Sequence, residues 1–129
     1  MIGSLPDGRS WPANWMNRRY RLTNSTDFKR VRRTGKTYAH PLAILIASPN
    51  DRTVSRFGVS AGRALGNAVR RNRAKRRLRE ALRRYMPRMV SGRDIVLIAR
   101  PALNEAEWSD VLNAVATLLK RAGLLEEES

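Results

Sequence analysis

The 129-residue chain has no cysteine, one histidine and only 11 acidic residues. Without cysteine there can be no disulfide framework and no thiolate zinc site, which is typical of the reducing cytoplasm. The longest purely apolar stretch, residues 42–47, is far shorter than the ~20 residues that span a bilayer. The N-terminal residues also lack the apolar core of a signal peptide. We therefore expect a cytoplasmic protein that does not interact with membranes.

The scarcity of acids and histidine also argues against catalysis by the protein itself. A protein-based metal nuclease needs several carboxylates that converge on Mg²⁺. The four acids that precede residue 94 are isolated along the chain. Asp94, Glu105, Glu107 and Asp110 stand at the predicted starts of a strand and a helix, where capping and solvent explain them. His40 precedes a proline and is expected in a loop, so we predict no catalytic residue, no metal site and no small-molecule substrate.

Basic residues dominate the chain, with 26 Lys+Arg and a formal net charge of +15. Residues 1–93 carry all of this excess, because residues 94–129 are acidic on balance. A charge of this size on a small chain indicates a polyanionic partner, with nucleic acid ahead of acidic lipid. The hydrophobic fraction of 42% is high enough for a folded domain and does not suggest a disordered basic tail.

The hydrophobic pattern predicts a single α+β domain over 19–123, between a flexible tail at 1–18 and an acidic end at 124–129. The predicted order is α-β-β-α-β-α, with room for one further short strand, in a sheet of about four strands packed with helices. The two apolar strands are too continuous to be half exposed and should be buried on both faces. Asn104 and Glu107 resemble a capping box for the last helix. The predicted elements are helix 25–33, strands 42–47 and 56–60, helix 67–86, strand 94–99 and a helix that ends at Gly123.

The helix over 67–86 combines a narrow apolar stripe with a strongly basic outer surface. Its apolar residues fall within about 100° of one another, so one face packs on a core. Pro87 ends the helix. Arginine fills most of the remaining positions, and its planar guanidinium suits phosphate groups and base stacking. The apolar stripe comprises Ala74, Leu78, Ala81, Leu82 and Tyr85.

Residues 57–79 read FGVSAGRALGNAVRRNRAKRRLR. This segment closely resembles the protein subunit of bacterial ribonuclease P, whose hallmark is an R-x-G…S…G-x-A-V-x-R-N-x-x-K-R-x-x-R run. Residues 94–100 resemble that family's D-I-V-x-I-A-R strand, and the likeness covers all but the first 15–18 residues. The matching positions in the hallmark run are Arg56, Gly58, Ser60, Gly66, Ala68, Val69, Arg71, Asn72, Lys75, Arg76 and Arg79.

The resemblance implies a non-catalytic subunit that binds ribonuclease P RNA and precursor tRNA. The RNA subunit, with its Mg²⁺, would remove the 5′ leader, and the protein would bind no cofactor of its own. The resemblance also implies a left-handed β-α-β crossover through the basic helix, against the usual rule. The RNA-binding residues that it implies are Arg63, Arg70, Arg71, Asn72, Arg73, Lys75, Arg76 and Arg79. The leader cleft that it implies comprises Phe28, Val31, Arg32, Ile46 and Ser60.

Three positions depart from the family pattern, and several interpretations stay open. One of the three is Ala64, which follows Arg63 where the family usually has a second basic residue. Arg32 and Ile46 stand where the family often has aromatics, so base stacking would be reduced and Arg32 would contribute charge or guanidinium stacking instead. Phe28 and Val31 could equally be core residues, and the basic helix could be a solvated face. The main functional alternative is a ribosomal-type structural RNA-binding protein. A DNA-binding regulator and a stand-alone nuclease are weaker alternatives.

Overall fold

Three α-helices and four β-strands form the fold of this computed structural model, which describes Leu22, residues 25–50, Arg52 and residues 54–125. The predicted tail at 1–18 and residues 126–129 of the predicted acidic end lie outside the described residues. The elements are α1 (Ser25–Thr34), β1 (Lys36–Ala39), β2 (Ala43–Pro49), β3 (Arg56–Ala61), α2 (Ala68–Tyr85), β4 (Arg93–Ala99) and α3 (Trp108–Arg121). The predicted α+β class is confirmed, and β1 is the further short strand.

The four strands form one mixed sheet in the order β1-β2-β4-β3. β2 pairs antiparallel with both β1 and β4, whereas β3 pairs parallel with β4. The two apolar strands therefore lie side by side in the middle of the sheet. Most residues of β2 and β4 are buried, as the continuous apolar runs predicted.

Helices cover both faces of the sheet unequally. α2 and α3 pack on one face over the larger core, which includes Phe57, Leu45, Ile95 and Leu97. α1 lies on the other face over a small cluster that is completed by Leu22 before it. The buried residues of this small cluster are Leu22, Val31, Ile46 and Val96.

The connection from β3 through α2 to β4 is left-handed. α1 crosses its face of the sheet from β3 at its N-terminal end to β2 at its C-terminal end. Val31 faces the sheet, and Arg30 reaches Asp94 at the edge where β3 and β4 begin. The sheet is viewed here from the side of α1, with β3 and β4 both pointing up. Because an α-helix is right-handed, Val31 can face the sheet while Arg30 points down to Asp94 only if β3 lies to the left of β4. α2 then lies behind the sheet while the chain steps to the right, which is the rare left-handed sense.

The start of α3 differs from the predicted capping box. Glu107 is the N-cap residue but makes no side-chain capping bond. Asn104 belongs to a separate 3-10 segment, Pro101–Glu105, because Pro101 starts a new turn directly after β4. The Nδ2 of Asn104 donates instead to the carbonyl of Arg70 on α2, at 2.9 Å.

The C-terminal end of the domain extends beyond residue 123. Gly123 ends α3 with φ +69°, which glycine adopts without strain. Leu124 is buried and its N–H donates to the carbonyl of Leu119. Leu125 forms a bridge to Met89. These two leucines, placed in the acidic end by the sequence, therefore pack as part of the domain.

Candidate nucleic-acid interface

The outer surface of α2 carries the densest group of cations among the described residues. Ala74, Leu78, Ala81 and Leu82 face the core, as the stripe predicted. The predicted RNA-binding residues therefore point away from the core or flank it. Arg63, Arg70, Asn72, Arg73 and Arg76 are exposed, and Arg71, Lys75 and Arg79 are half-buried.

A capped N-terminus fixes where α2 starts. The side chain of Asn67 accepts a hydrogen bond from the N–H of Arg70, at 3.0 Å. Gly66 precedes it with φ +113°, in a region that L side chains rarely adopt. Arg63 begins a 3-10 turn just before this glycine. The segment thus places Arg63 at the N-terminal end of the basic helix, next to the first cations of α2.

Two arginines of α2 hold the segment that leads into α3. Arg77 donates to the carbonyls of Leu103 and Ala106, at 2.5 and 2.7 Å. Burial lowers the pKa of Arg77, and repulsion from Arg73 lowers it further. Arg70 donates to the carbonyl of Leu65 and forms an ion pair with Glu105 at 2.7 Å. Arg70, predicted as an RNA ligand, therefore has protein partners already, whereas Arg77 has a structural role.

Arg71 lies in the first turn of α2 at nearly the same angle around the helix as the buried Leu78, and its side chain is half-buried. Its Nε is buried and has no hydrogen-bond partner among the described residues. A buried donor without a partner costs free energy, on the order of 1–3 kcal/mol. Arg71 is one of the positions that match the hallmark run of the ribonuclease P protein subunit.

On the other face, the strands form three rows of side chains beneath and beside α1. The ionic row consists of Arg56, Asp94 and Ser48, aligned across β3, β4 and β2. The next row, the covered row, lies under α1 and consists of Gly58, Val96 and Ile46. The third row is half-exposed, and we call it the open row: Ser60, Ile98 and Ile44.

The open row and the adjacent flank of α1 together line a half-exposed surface, which we call the cleft. Asp27 and Arg30 point toward the ionic row, so Phe28 and Arg32 lie on the flank beside the open row. Phe28, Ile44 and Ile98 are half-buried and all pack against the small cluster under α1, and Arg32 is exposed. The cleft therefore combines an apolar floor, one aromatic ring, one hydroxyl and one cation.

Two predicted leader-site residues lie inside the protein. Val31 has no exposed surface and Ile46 is 6% exposed, so both support the cleft from below. Ile44 and Ile98, which the sequence analysis did not select, take their place on the floor. Each lies two residues from a member of the covered row on its own strand, Ile46 or Val96, and therefore on the same face of the sheet. This alternation could have identified them, but it is not visible in strands whose residues are all apolar.

Asp94 is the centre of a buried ionic network. The prediction that it is a capping or solvated acid is therefore wrong. Its side chain is fully buried and accepts hydrogen bonds from Arg56 at 3.0 and 2.8 Å and from Asn50 at 2.8 Å. Arg30 of α1 also donates to it. Local sequence does not reveal this burial, because the partners of Asp94 are 38, 44 and 64 residues away.

The network shifts the pKa values of its members. Burial alone would raise the pKa of Asp94, but hydrogen bonds from Arg56, Asn50 and Arg30 outweigh it and lower that pKa. The hydrogen bond to Asp94 raises the pKa of Arg56. Arg56 also pairs with Asp27 at 3.4 Å. Each carboxylate in this network thus has at least one arginine as its partner.

The donor set of the described residues does not fit a divalent metal ion. No three His, Asp or Glu side chains come together within the part of the chain that the structure describes. Asp27 and Asp94 both pair with Arg56 and Arg30, whose positive charges would repel a metal cation. His40 lies in the β1–β2 turn, where its Nδ1 accepts from the N–H of Leu42. Over the same described ranges, no helix is long and apolar enough to cross a membrane.

Comparison with known proteins identifies relatives over nearly the whole chain. A sequence model of the family described as Ribonuclease P matches residues 16–123. The ribonuclease P protein component of Roseiflexus sp. (strain RS-1) is 46% identical, over 86% of this chain and 92% of the relative. That of Symbiobacterium thermophilum is 42% identical, over 88% of this chain and 99% of the relative.

Solved structures agree with the sequence comparison. The ribonuclease P protein of Staphylococcus aureus superimposes with a TM-score of 0.76 at 29% identity, over 83% of this chain and 98% of that one. The ribonuclease P protein of Thermotoga maritima gives 0.71 at 33% identity, over 78% and 96% of the two chains.

Proposed function

The chain belongs to the ribonuclease P protein family, and on that basis we propose that it binds ribonuclease P RNA through α2 and the 5′ leader of precursor tRNA through the cleft beside α1. As a ribonuclease P protein component, it functions in tRNA 5′ processing. The observation that carries the proposal is the separation of two surfaces on opposite faces of one sheet. One surface is cationic and the other has an apolar floor.

The cationic surface of α2 suits a folded RNA. Exposed arginines neutralise phosphates and orient the protein without reading sequence, so recognition depends on the shape of the RNA. The RNA contacts that we assign to this surface are those of Arg63, Arg71, Asn72, Arg73, Lys75, Arg76 and Arg79. Arg70 joins them after it exchanges Glu105 for a phosphate. The orphaned Nε of Arg71 supports this assignment, because an RNA acceptor would satisfy it.

The cleft suits a single-stranded leader. Phe28 offers one ring for base stacking, Ile44 and Ile98 offer apolar contact, and Arg32 lies within the same groove to pair with a phosphate. Ser60 adds a hydroxyl that both donates and accepts. Val31 and Ile46 shape the groove without touching its ligand. With one ring only, the cleft would hold a leader with little preference for its sequence.

We assign bond cleavage to the RNA subunit and its Mg²⁺. In the described part of the chain, the carboxylates are paired with arginines or lie apart, so these residues would neither hold the metal nor act as a general base. Its contribution would be to neutralise phosphates and tether the leader, which lowers the Mg²⁺ concentration that the RNA requires. In a bacterial cell this reaction would take place in the cytoplasm.

Reconstitution tests the proposal. The protein is mixed with a bacterial ribonuclease P RNA and a precursor tRNA at low Mg²⁺, where the RNA alone is nearly inactive. We expect cleavage at the mature 5′ end that depends on both components. Phe28→Ala should weaken the binding of leader-bearing substrate, whereas Arg73→Ala should weaken assembly with the RNA.

Other outcomes would replace the proposal. Cleavage by the protein alone would reveal a protein active site. Tight RNA binding without any stimulation of cleavage would favour the ribosomal-type alternative. If Phe28→Ala lowered only the thermal stability, the assignment of the cleft would be wrong.

A further inference from the structure

α1 is attached to the sheet by few apolar contacts. Its cluster contains four buried residues, whereas nineteen residues form the buried core on the other face. So few buried contacts constrain the rotation of the helix about its own axis less than a full core would. Some other interaction must therefore set the direction in which Phe28 and Arg32 point.

The ionic row supplies that interaction from one side. Asp94 joins three separate elements, because its partners Arg56, Arg30 and Asn50 come from β3, α1 and the β2–β3 loop. Arg30 also lies 3.7 Å from Asp27 on its own helix. The carboxylate of Asp94 is fully buried, so these bonds act in a medium that strengthens them.

A close contact supplies the constraint from the other side. A Cβ on Gly58 would lie 2.5 Å from the Cζ of Phe28, so the ring rests directly on the backbone of β3. The ring and the guanidinium of Arg30 extend from opposite flanks of α1. The ion pair at one flank and the van der Waals contact at the other together fix the rotation of the helix about its axis.

We propose that Asp94 is a positioning residue for the leader cleft: through Arg30 it fixes the rotation of α1 and hence the place of Phe28 beside the open row. Arg56 and Asn50 hold Asp94 itself in place. The inference rests on the proposed binding of the leader in this cleft. In this proposal the ionic row affects substrate binding only through the position of α1, and none of its residues contacts the substrate.

The experiment compares Arg30→Gln with Arg33→Gln in the reconstituted holoenzyme. Both variants remove one positive charge from α1, but Arg33 is exposed to solvent and Arg30 holds Asp94. The affinity is measured for a precursor tRNA with its leader and for the mature tRNA without one. We expect Arg30→Gln to reduce the leader-dependent gain in affinity about fivefold, an effect of about 1 kcal/mol, and Arg33→Gln to leave it within twofold. Arg30→Lys should recover much of the gain.

A second measurement follows α1 without any substrate. The chain has only two phenylalanines, so labelling with 3-fluorophenylalanine gives two ¹⁹F resonances, from Phe28 and Phe57. Arg30→Gln should shift the Phe28 resonance and leave that of Phe57, which is buried in the larger core, unchanged. Phe28→Leu assigns the two signals.

The outcomes distinguish the two proposals. An unchanged Phe28 resonance, or equal losses from Arg30→Gln and Arg33→Gln, overturns the positioning role. A different result would overturn the leader site itself. In that case Arg30→Gln shifts the Phe28 resonance, but the wild-type holoenzyme shows no leader-dependent gain in affinity, and the role of Asp94 in substrate binding is then overturned as well. Asp94→Asn serves as a third variant, with thermal unfolding as the check that it folds.

Discussion

At the residue scale, the most informative side chain is that of Asp94, which amino-acid composition does not single out. Asp94 lies at the start of β4 and would be solvated in an isolated strand. In the fold it is fully buried with two arginines and an amide as donors. Burial of a lone carboxylate is costly, and only several simultaneous hydrogen bonds offset that cost. The acid therefore depends on residues from three other segments, and α1 depends on the acid.

The lowered pKa of Asp94 predicts an acid-sensitive stability. A carboxyl whose pKa is lower in the folded than in the unfolded state stabilises the fold above its unfolded pKa of about 3.9. This contribution is lost as the pH falls through the lower, folded-state pKa. We expect Asp94→Asn to reduce the free energy of unfolding by about 3 kcal/mol at pH 7 and to approach the wild type as the pH falls below 4.

Urea unfolding between pH 7 and pH 2.5 measures this difference directly. Asp110→Asn, which changes an exposed acid at the start of α3, is the matched control and should follow the wild-type curve. A constant gap between Asp94→Asn and the wild type across the whole range would show that the charge of Asp94 is not what stabilises the fold.

At the element scale, some arginines of α2 are exposed, where we propose the RNA contacts, and others bind the protein itself. Periodicity alone treats Arg76 and Arg77 as two similar polar positions on one helix. Arg76 is exposed, whereas Arg77 donates to two carbonyls of the segment before α3. The division follows from the neighbouring segment, because Pro101 starts a 3-10 turn that presents its carbonyls to one flank of α2.

This division predicts opposite phenotypes for two adjacent substitutions. Arg76→Ala should weaken binding to ribonuclease P RNA and reduce the slope of log affinity against log salt by about 1, without a change in Tm. Arg77→Ala should lose about 1.5–3 kcal/mol of stability, because two charged hydrogen bonds disappear.

Salt titrations of RNA binding and thermal unfolding, run on both variants, separate the two effects. Arg83→Ala, which removes another exposed cation near the end of α2, is the control for charge alone. Equal loss of stability in Arg76→Ala and Arg77→Ala would contradict the assignment.

At the scale of the whole molecule, the sheet separates the two proposed surfaces. α2 packs on one face and α1 on the other, with the buried strands β2 and β4 between them. A ligand on one side can therefore be bound without rearrangement of the other. This arrangement suits a subunit that stays assembled with one RNA while successive substrates enter and leave.

The separation predicts additive effects across the sheet. Phe28→Ala and Arg73→Ala, combined in one protein, should change the affinity for leader-bearing precursor tRNA by the sum of their single effects, within about 0.5 kcal/mol. Phe28→Ala with Ile98→Ala should be non-additive, because both residues pack against the same small cluster. Coupling of more than 1 kcal/mol between Phe28 and Arg73 would show that the two surfaces communicate.

The sequence by itself determined the element types, the basic surface of α2 and the family. These depend on periodicity, on local capping such as that of Asn67, and on a long ordered motif, all of which are short-range properties of the chain. The predictions that were wrong concern contacts between distant segments. Asp94 is buried, Asn104 binds the carbonyl of Arg70 and does not cap α3, and Ile46 is buried beneath a cleft floor formed by Ile44 and Ile98. Only the tertiary structure decided these, because sheet register and helix placement determine which side of each residue is left to solvent.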